Sequence, residues 1–439
     1  VGVHFLLNPD PWTGGHLPMT LLTLGLLGLL IVRHRKNIGR LVAGTEPKVS
    51  FRKKQEPSGR IATVAVVALV LVAAGGALAV RMTSRPVLDC GRYTLTTGSR
   101  LHTGHQRAER LAFADGGRLL IVTCPRYDRI VLAEVRDDSL QVVRDVALEG
   151  RPVAIWPVRD RLYVLERPIA DARHLEAGWL EAFDFSGRPL GAKLRVGFDP
   201  DDLNISADGR RAYVLLSGHA EGETNRPDPE LLVLDLTAGL ADAQVIGRLV
   251  FDQPGDDPER IALTADESKA AVSLWGSNCV ARIDLADRDQ PRLISRANFP
   301  DQPASLLFLP GGSLIVSSGG EPGLWSIPSE SAQPQPLTGP GGDLVSLGPT
   351  SGDVACTLPQ GSALEVIEPQ TGRSRGRLPL RGRANLADTR PLGIAYEPAR
   401  GLLAVANRQG GSVHLVAVRS KPGAAQREVL SLEPGSTRK

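Results

Sequence analysis

Eight polar or aromatic side chains stand at comparable points of a recurring pattern: Arg151, Asp202, Asp257, Trp275, Asn278, Gln302, Arg390 and Asn407. Each falls in a polar stretch beside a short apolar run, where a chain turns between strands. Guanidinium, carboxylate, carboxamide and indole groups recognise a ligand by ion pairs, hydrogen bonds and stacking. They do not make a nucleophile with its base. The chain has no Gly-x-Ser-x-Gly elbow, no phosphate-binding loop and no His-Glu-x-x-His helix, and its eight histidines are scattered. His219, Glu221, Glu223 and Asp228 could hold a divalent cation through oxygen ligands. They lack EF-hand spacing or a His-x-His pair, so an acidic loop is the expectation. No metal, no cofactor and no catalytic residue are expected.

The elements that must position these groups are strands. Apolar cores centred on Ile121, Val164, Val214, Val272, Val316, Cys356 and Val405 recur at intervals of about 40 to 58 residues. Each is preceded by another apolar run, such as Pro152–Ile155 or Leu203–Ile205, and followed by a third, such as Leu231–Asp235 or Val280–Asp284. Turn formers separate first from second runs, Asp115-Gly116, Asp208-Gly209 and Pro310-Gly311-Gly312 among them. Glycine there permits the positive φ of a tight hairpin. Seven copies of a unit that cannot bury its own faces predict an all-β, seven-bladed β-propeller over residues 105–433. The last blade needs one more strand. Arg427–Leu432 and Tyr93–Thr96 are equal candidates, and either would cover an exposed edge.

Leu203-Asn-Ile-Ser-Ala-Asp-Gly-Arg-Arg-Ala-Tyr-Val214, Leu403-Ala-Val-Ala-Asn407 and Leu234-Asp-Leu-Thr237 resemble the blade phrase of the YVTN/lactonase-like propellers. The resemblance covers about three quarters of the chain at the level of a repeat. Blades five and six lack the Tyr-Val pair and the Asp, and blade two ends in Phe183-Asp-Phe185. It implies the fold. Propellers of this kind include binding proteins, lactonases and dehydrogenases, so it does not imply one activity.

The first eighty residues are different in kind. After a tail over 1–16, residues 17–32 form an apolar run ending in Arg33-His-Arg-Lys36, and Ile61–Val80 is an uncharged run of membrane-spanning length. One or two N-terminal transmembrane helices are expected. The basic loop 33–60 is then cytoplasmic by the positive-inside rule, and the propeller lies beyond a linker over 81–104, with a tail at 434–439. Ala77-Leu-Ala79 resembles a signal-peptide cleavage site, but an uncleaved anchor is preferred because the run is long and far from the start.

With 51 Lys and Arg against 48 Asp and Glu, the net charge is +3. This is no polyelectrolyte, and no nucleic acid partner is expected. The four cysteines are too few for a disulfide scaffold. Cys90 and Cys124 are read as free thiols, with a disulfide between them as the alternative. Cys279 and Cys356 are read as small core or loop residues, and Trp156, Trp179 and Trp325 as core aromatics. The functional expectation is a membrane-anchored module in a bacterial inner membrane, with its propeller in the periplasm or outside the cell. It would bind a protein, peptide or glycan on its loop face. A lactonase-like hydrolase is the alternative.

Overall fold

Strands with no polar face of their own must be covered on both sides, and a ring of sheets does that for every strand but the outermost. The computed structural model describes residues 86–421 apart from 106, 138, 170–176, 192, 219–227, 254, 320–322, 329–332, 338, 340, 349–351, 381–390 and 409. These residues form seven antiparallel sheets, six of four strands and one of five. In each sheet the first strand lies innermost. The seven first strands, from Leu111–Ala114 of blade one to Pro391–Glu397 of blade seven, lie side by side in a closed ring. The all-β seven-bladed propeller is therefore present.

No single core holds the ring. Seven apolar clusters lie among the described residues, one at each boundary between blades. The second strand of blade one, Leu119–Cys124, shows how a continuous apolar run serves two of them. Leu120, Val122 and Cys124 pack toward blade seven, on Leu402, Ala404 and Leu415. Leu119 and Ile121, pointing the other way, pack on Ile155, Leu162 and Val164 of blade two. Period-two geometry distributes alternate residues to opposite faces, and both faces are buried. Each fully buried Leu or Ile contributes about 1.5–3 kcal/mol.

Fourth strands complete the blades: Ser139–Ala147, Leu194–Phe198, Gln244–Val250, Arg292–Asn298, Gln335–Leu337 and Arg373–Pro379. They are the outer edges, and Ser139–Ala147 is largely exposed. Blade seven takes its outer strand from the other end of the chain. Tyr93–His102 pairs antiparallel with Ser412–Ser420, setting Leu95 opposite Val418 and Leu101 opposite Val413. Val87–Asp89 then adds a fifth strand outside it. Lys421 secures the junction, its amide donating to the Arg92 carbonyl at 2.9 Å and its ammonium to Asp89 at 2.6 Å. Of the two candidate closing strands, the N-terminal one closes the ring, so part of the segment read as linker is blade. Arg427–Leu432 lies outside the described residues.

All four cysteines are free and buried. Cys90 sits in the cluster between blades six and seven and Cys124 in that between seven and one, so the alternative of a disulfide fails. Trp325 is a core aromatic, set edge-on to Phe299. Trp156 packs against the cluster between blades two and three while also lining the channel, and Trp179 lies half-buried beneath the Lys193 ammonium. Among the described residues no helix is long and apolar enough to cross a membrane. The apolar runs 17–32 and 61–80 and the basic loop 33–60 lie outside them.

Candidate ligand-binding mouth

The start of each first strand is built to turn a side chain into the channel. Four first strands open on a proline paired with the end of the second strand, Pro200, Pro258, Pro303 and Pro391, and in blade two Pro152 stands second, after Arg151. An irregularity in register follows each one. Proline suits the first position of a strand, and a bulge after it re-aims what comes next. In four blades a hydroxyl near the end of the second strand accepts a hydrogen bond from a backbone amide at this point. Thr123 serves Arg110 at 2.9 Å, Ser273 serves Arg260 at 3.0 Å, Ser317 serves Ser305 at 3.0 Å, and Thr357 serves Asp343 at 2.9 Å.

These side chains form the throat of a polar cavity of about 540 Å³. Around it stand Arg107, Arg110, Arg126, Arg151, Arg167, Arg260 and Arg408, against the carboxylates Glu109, Asp201, Glu259 and Asp343. Four of these arginines have identified roles or positions in the floor and walls. Arg408 pairs with Glu109 at 2.9 Å; Arg167 pairs with Asp199 at 2.8 Å and also with Asp201. Arg110 reaches Asp202 at 3.4 Å and the Val153 carbonyl at 3.3 Å, and Arg260 lines the throat beside it. Arg107, Arg126 and Arg151 are exposed and have no carboxylate at ion-pairing distance among the described residues. They follow one another over blades one and two, in the loop into blade one, its second-to-third turn, and the start of blade two.

Burial acts against the carboxylates below. It pushes Asp201 up to about 7 despite the opposing charge of Arg167, and Asp343 up to about 6 despite Arg110. Asp202 and Glu259 are raised for the same reason. Beneath this layer the channel continues as a space of about 420 Å³ with mixed walls, apolar at Ile155, Ile261, Phe308 and Ile394 and polar at Asp202, Asn204 and Ser305.

Of the residues expected to bind ligand, Arg151 lines the mouth and Asp202 the throat, where it also accepts the Ile261 amide at 3.0 Å. Asp257 is half-buried beside them, close enough to raise Asp201 and Glu259. Trp275 is 40% exposed on the second-to-third turn of blade four, and Asn278 takes a left-handed conformation in that turn, with φ 51°. Gln302 accepts the Gly319 amide at 3.3 Å through its carbonyl. Asn407 is buried and donates to Ser412 at 3.1 Å. Trp275, Asn278, Gln302 and Asn407 do not line the cavity. Arg390 lies outside the described residues, as do His219, Glu221 and Glu223. Arg107, Glu109, Arg110, Arg126, Arg167, Glu259 and Arg260, which the sequence did not single out, are seven of the eleven charged residues lining the mouth. One signal was available: Glu109-Arg110-Leu-Ala112 and Glu259-Arg260-Ile-Ala262 are the same phrase at the same point of blades one and four.

No group of three or more His, Cys, Asp or Glu side chains placed to hold a metal occurs among the described residues. The His105 ring pairs with Asp145 at 2.8 Å and lies 5.2 Å from the Tyr127 ring. No hydroxyl or thiol bonds to that ring among the described residues. Burial drives His414 down to about 3 and the Cys124 thiol up to about 11, so neither is a ready base or nucleophile.

No known protein family's sequence pattern matches the chain. No curated protein matches it either. Among solved structures it is similar to a streptogramin B lyase, with a TM-score of 0.54 and 11% sequence identity over 75% of this chain and 98% of that one. At that identity the likeness is one of fold.

Proposed function

We propose that this chain is a binding module whose ligand, a protein, peptide or glycan, seats on the channel mouth rather than being turned over there. The observation that carries the reading is the mouth itself. It is an open polar cavity, rich in arginine, on the loop face of a rigid wheel, with no nucleophile–base pair facing it among the described residues. We also read the chain as tethered through Ile61–Val80, with residues 17–32 as a second span, and the propeller held in the periplasm or outside the cell. The apolar runs and the basic loop between them support this. Kinship with the YVTN/lactonase-like propellers rests on the blade phrase alone.

The test uses the full chain in detergent on peptide and glycan arrays. Bound ligand is recovered after long incubation, and its contacts are footprinted by hydrogen exchange. The expected result is an unchanged ligand and protection at the loops carrying Arg107, Arg126 and Arg151. A chemically converted ligand, or protection confined to the outer strands, would overturn the reading.

A further inference from the structure

Resting on the binding-module reading, we propose that the mouth takes an acidic peptide segment, whose carboxylates are held by Arg107, Arg126 and Arg151. Three exposed arginines stand at one mouth with no carboxylate at ion-pairing distance among the described residues, and the seven arginines lining the cavity outnumber its four carboxylates. Such a concentration of one sign costs the empty protein and is relieved by an anionic ligand. Guanidinium is suited to carboxylate because its fork matches both oxygens at once.

The surroundings narrow the ligand further. Arg408 and Arg167 are already tied to Glu109, Asp199 and Asp201, so they frame the site instead of competing for it. Across the cavity Glu259 and Asp343 present acceptors, which peptide N–H groups can meet. Among the described residues no aromatic side chain lines this cavity, so a sugar ring would find no stacking platform there. A peptide with alternating acidic side chains needs none.

The experiment measures fluorescence anisotropy of a labelled peptide of alternating Glu and Gly with the full chain in detergent. A heparin-derived oligosaccharide and a Lys–Gly peptide serve as comparison probes. Arg107→Glu, Arg126→Glu and Arg151→Glu are made singly and together. Arg373→Glu, on the exposed outer strand of blade six, is the matched change in charge away from the mouth. The expected result is saturable binding of the acidic peptide that weakens with salt. Each mouth reversal should raise Kd about tenfold while Arg373→Glu leaves it unchanged. Melting temperatures check that the variants are folded, and Arg→Gln replacements give a milder series if a reversal is not.

Failure to bind the acidic peptide, or equal loss with Arg373→Glu, overturns the inference. So does arginine-dependent preference for the oligosaccharide. None of these disturbs the binding-module reading, which stands or falls on turnover and footprint.

Discussion

Replacing Glu166 by Gln should stabilise this protein, and only at high pH. Glu166 is the last residue but one of the second strand of blade two and is fully buried. One of its oxygens accepts the Gly150 amide at 2.8 Å, and Glu181 lies beside it, tied to Lys193 at 3.1 Å. Burial is the main force pushing its carboxyl up to about 8, with Glu181 adding to it, while the Gly150 amide and Lys193 pull the other way. The unfolded chain releases this proton near 4.5. The folded protein therefore holds a proton that the unfolded chain does not between about pH 4.5 and 8. Its contribution to stability is complete below pH 4.5 and is lost as pH rises through about 8. The gap corresponds to at most about 5 kcal/mol. Movement of Lys193 toward the new charge should reduce the measured effect to about 2–3 kcal/mol. Glu166→Gln keeps an acceptor for Gly150 and removes the titration. Urea unfolding followed by near-ultraviolet circular dichroism would compare the two proteins at pH 4.5 and 8.5. The variant should match wild type at the lower pH and exceed it by that amount at the higher. An equal difference at both, or a weaker variant at pH 8.5, would refute the reasoning.

A Cβ placed on Gly393 would lie 1.9 Å from the Glu109 carbonyl oxygen, so Gly393→Ala must push blades seven and one apart. It should lower the melting temperature in a thermal scan, with a cost of about 3 kcal/mol or more. Leu95 is fully buried on the closing strand, and Leu95→Ala should cost about 2–5 kcal/mol in chemical unfolding. A loss no larger than that of an exposed substitution would mean the N-terminal strand does not seal the ring. As pH falls from 8 to 5, Asp201 and Asp343 take up protons at about 7 and 6, leaving the mouth more cationic. Affinity for the Glu–Gly peptide, whose carboxylates stay largely ionised above about pH 5, should rise several-fold over that range; a flat anisotropy profile would exclude the role of these two groups.

The inner three strands of every blade could be read from sequence because the second and third are buried on both faces and the first is at least half-buried. Such strands appear as short apolar runs between turns, as Leu119–Cys124 and Leu231–Leu234 do. The fourth strands could not. Ser139–Ala147 and Arg292–Asn298 face water along much of their length, so nothing in their composition separates them from loop. Closure was legible only as a choice, because both candidate strands carry alternating apolar residues. The mouth was half legible. Arg151 and Asp202 were placed by their position in the repeat. Arg126, in a three-residue turn, and Arg107 carry no local signal, since an exposed arginine beside a turn is the commonest kind. What sets them apart is the absence of a described partner, which only three dimensions show. Residues 170–176 and 219–227, in the second-to-third loops of blades two and three, lie outside the described residues, and the cavity found is lined from blades one, two, three, four, six and seven.

The sharing of blade seven between the two ends of the chain sets the order in which the wheel can be made. A ribosome delivers Tyr93–His102 before any blade exists, yet its partner, Ser412–Ser420, comes more than three hundred residues later. At about 5–20 residues per second that is tens of seconds of waiting. Throughout that interval Leu95 has no Val418 to face, and the boundary between blades seven and one, with Leu402 and Leu415 still unmade, stays open. Blades one to six can stack as they emerge, but no circle exists until the last strands arrive. Synthesis ends, in effect, by fastening a latch whose first half was laid down at the beginning.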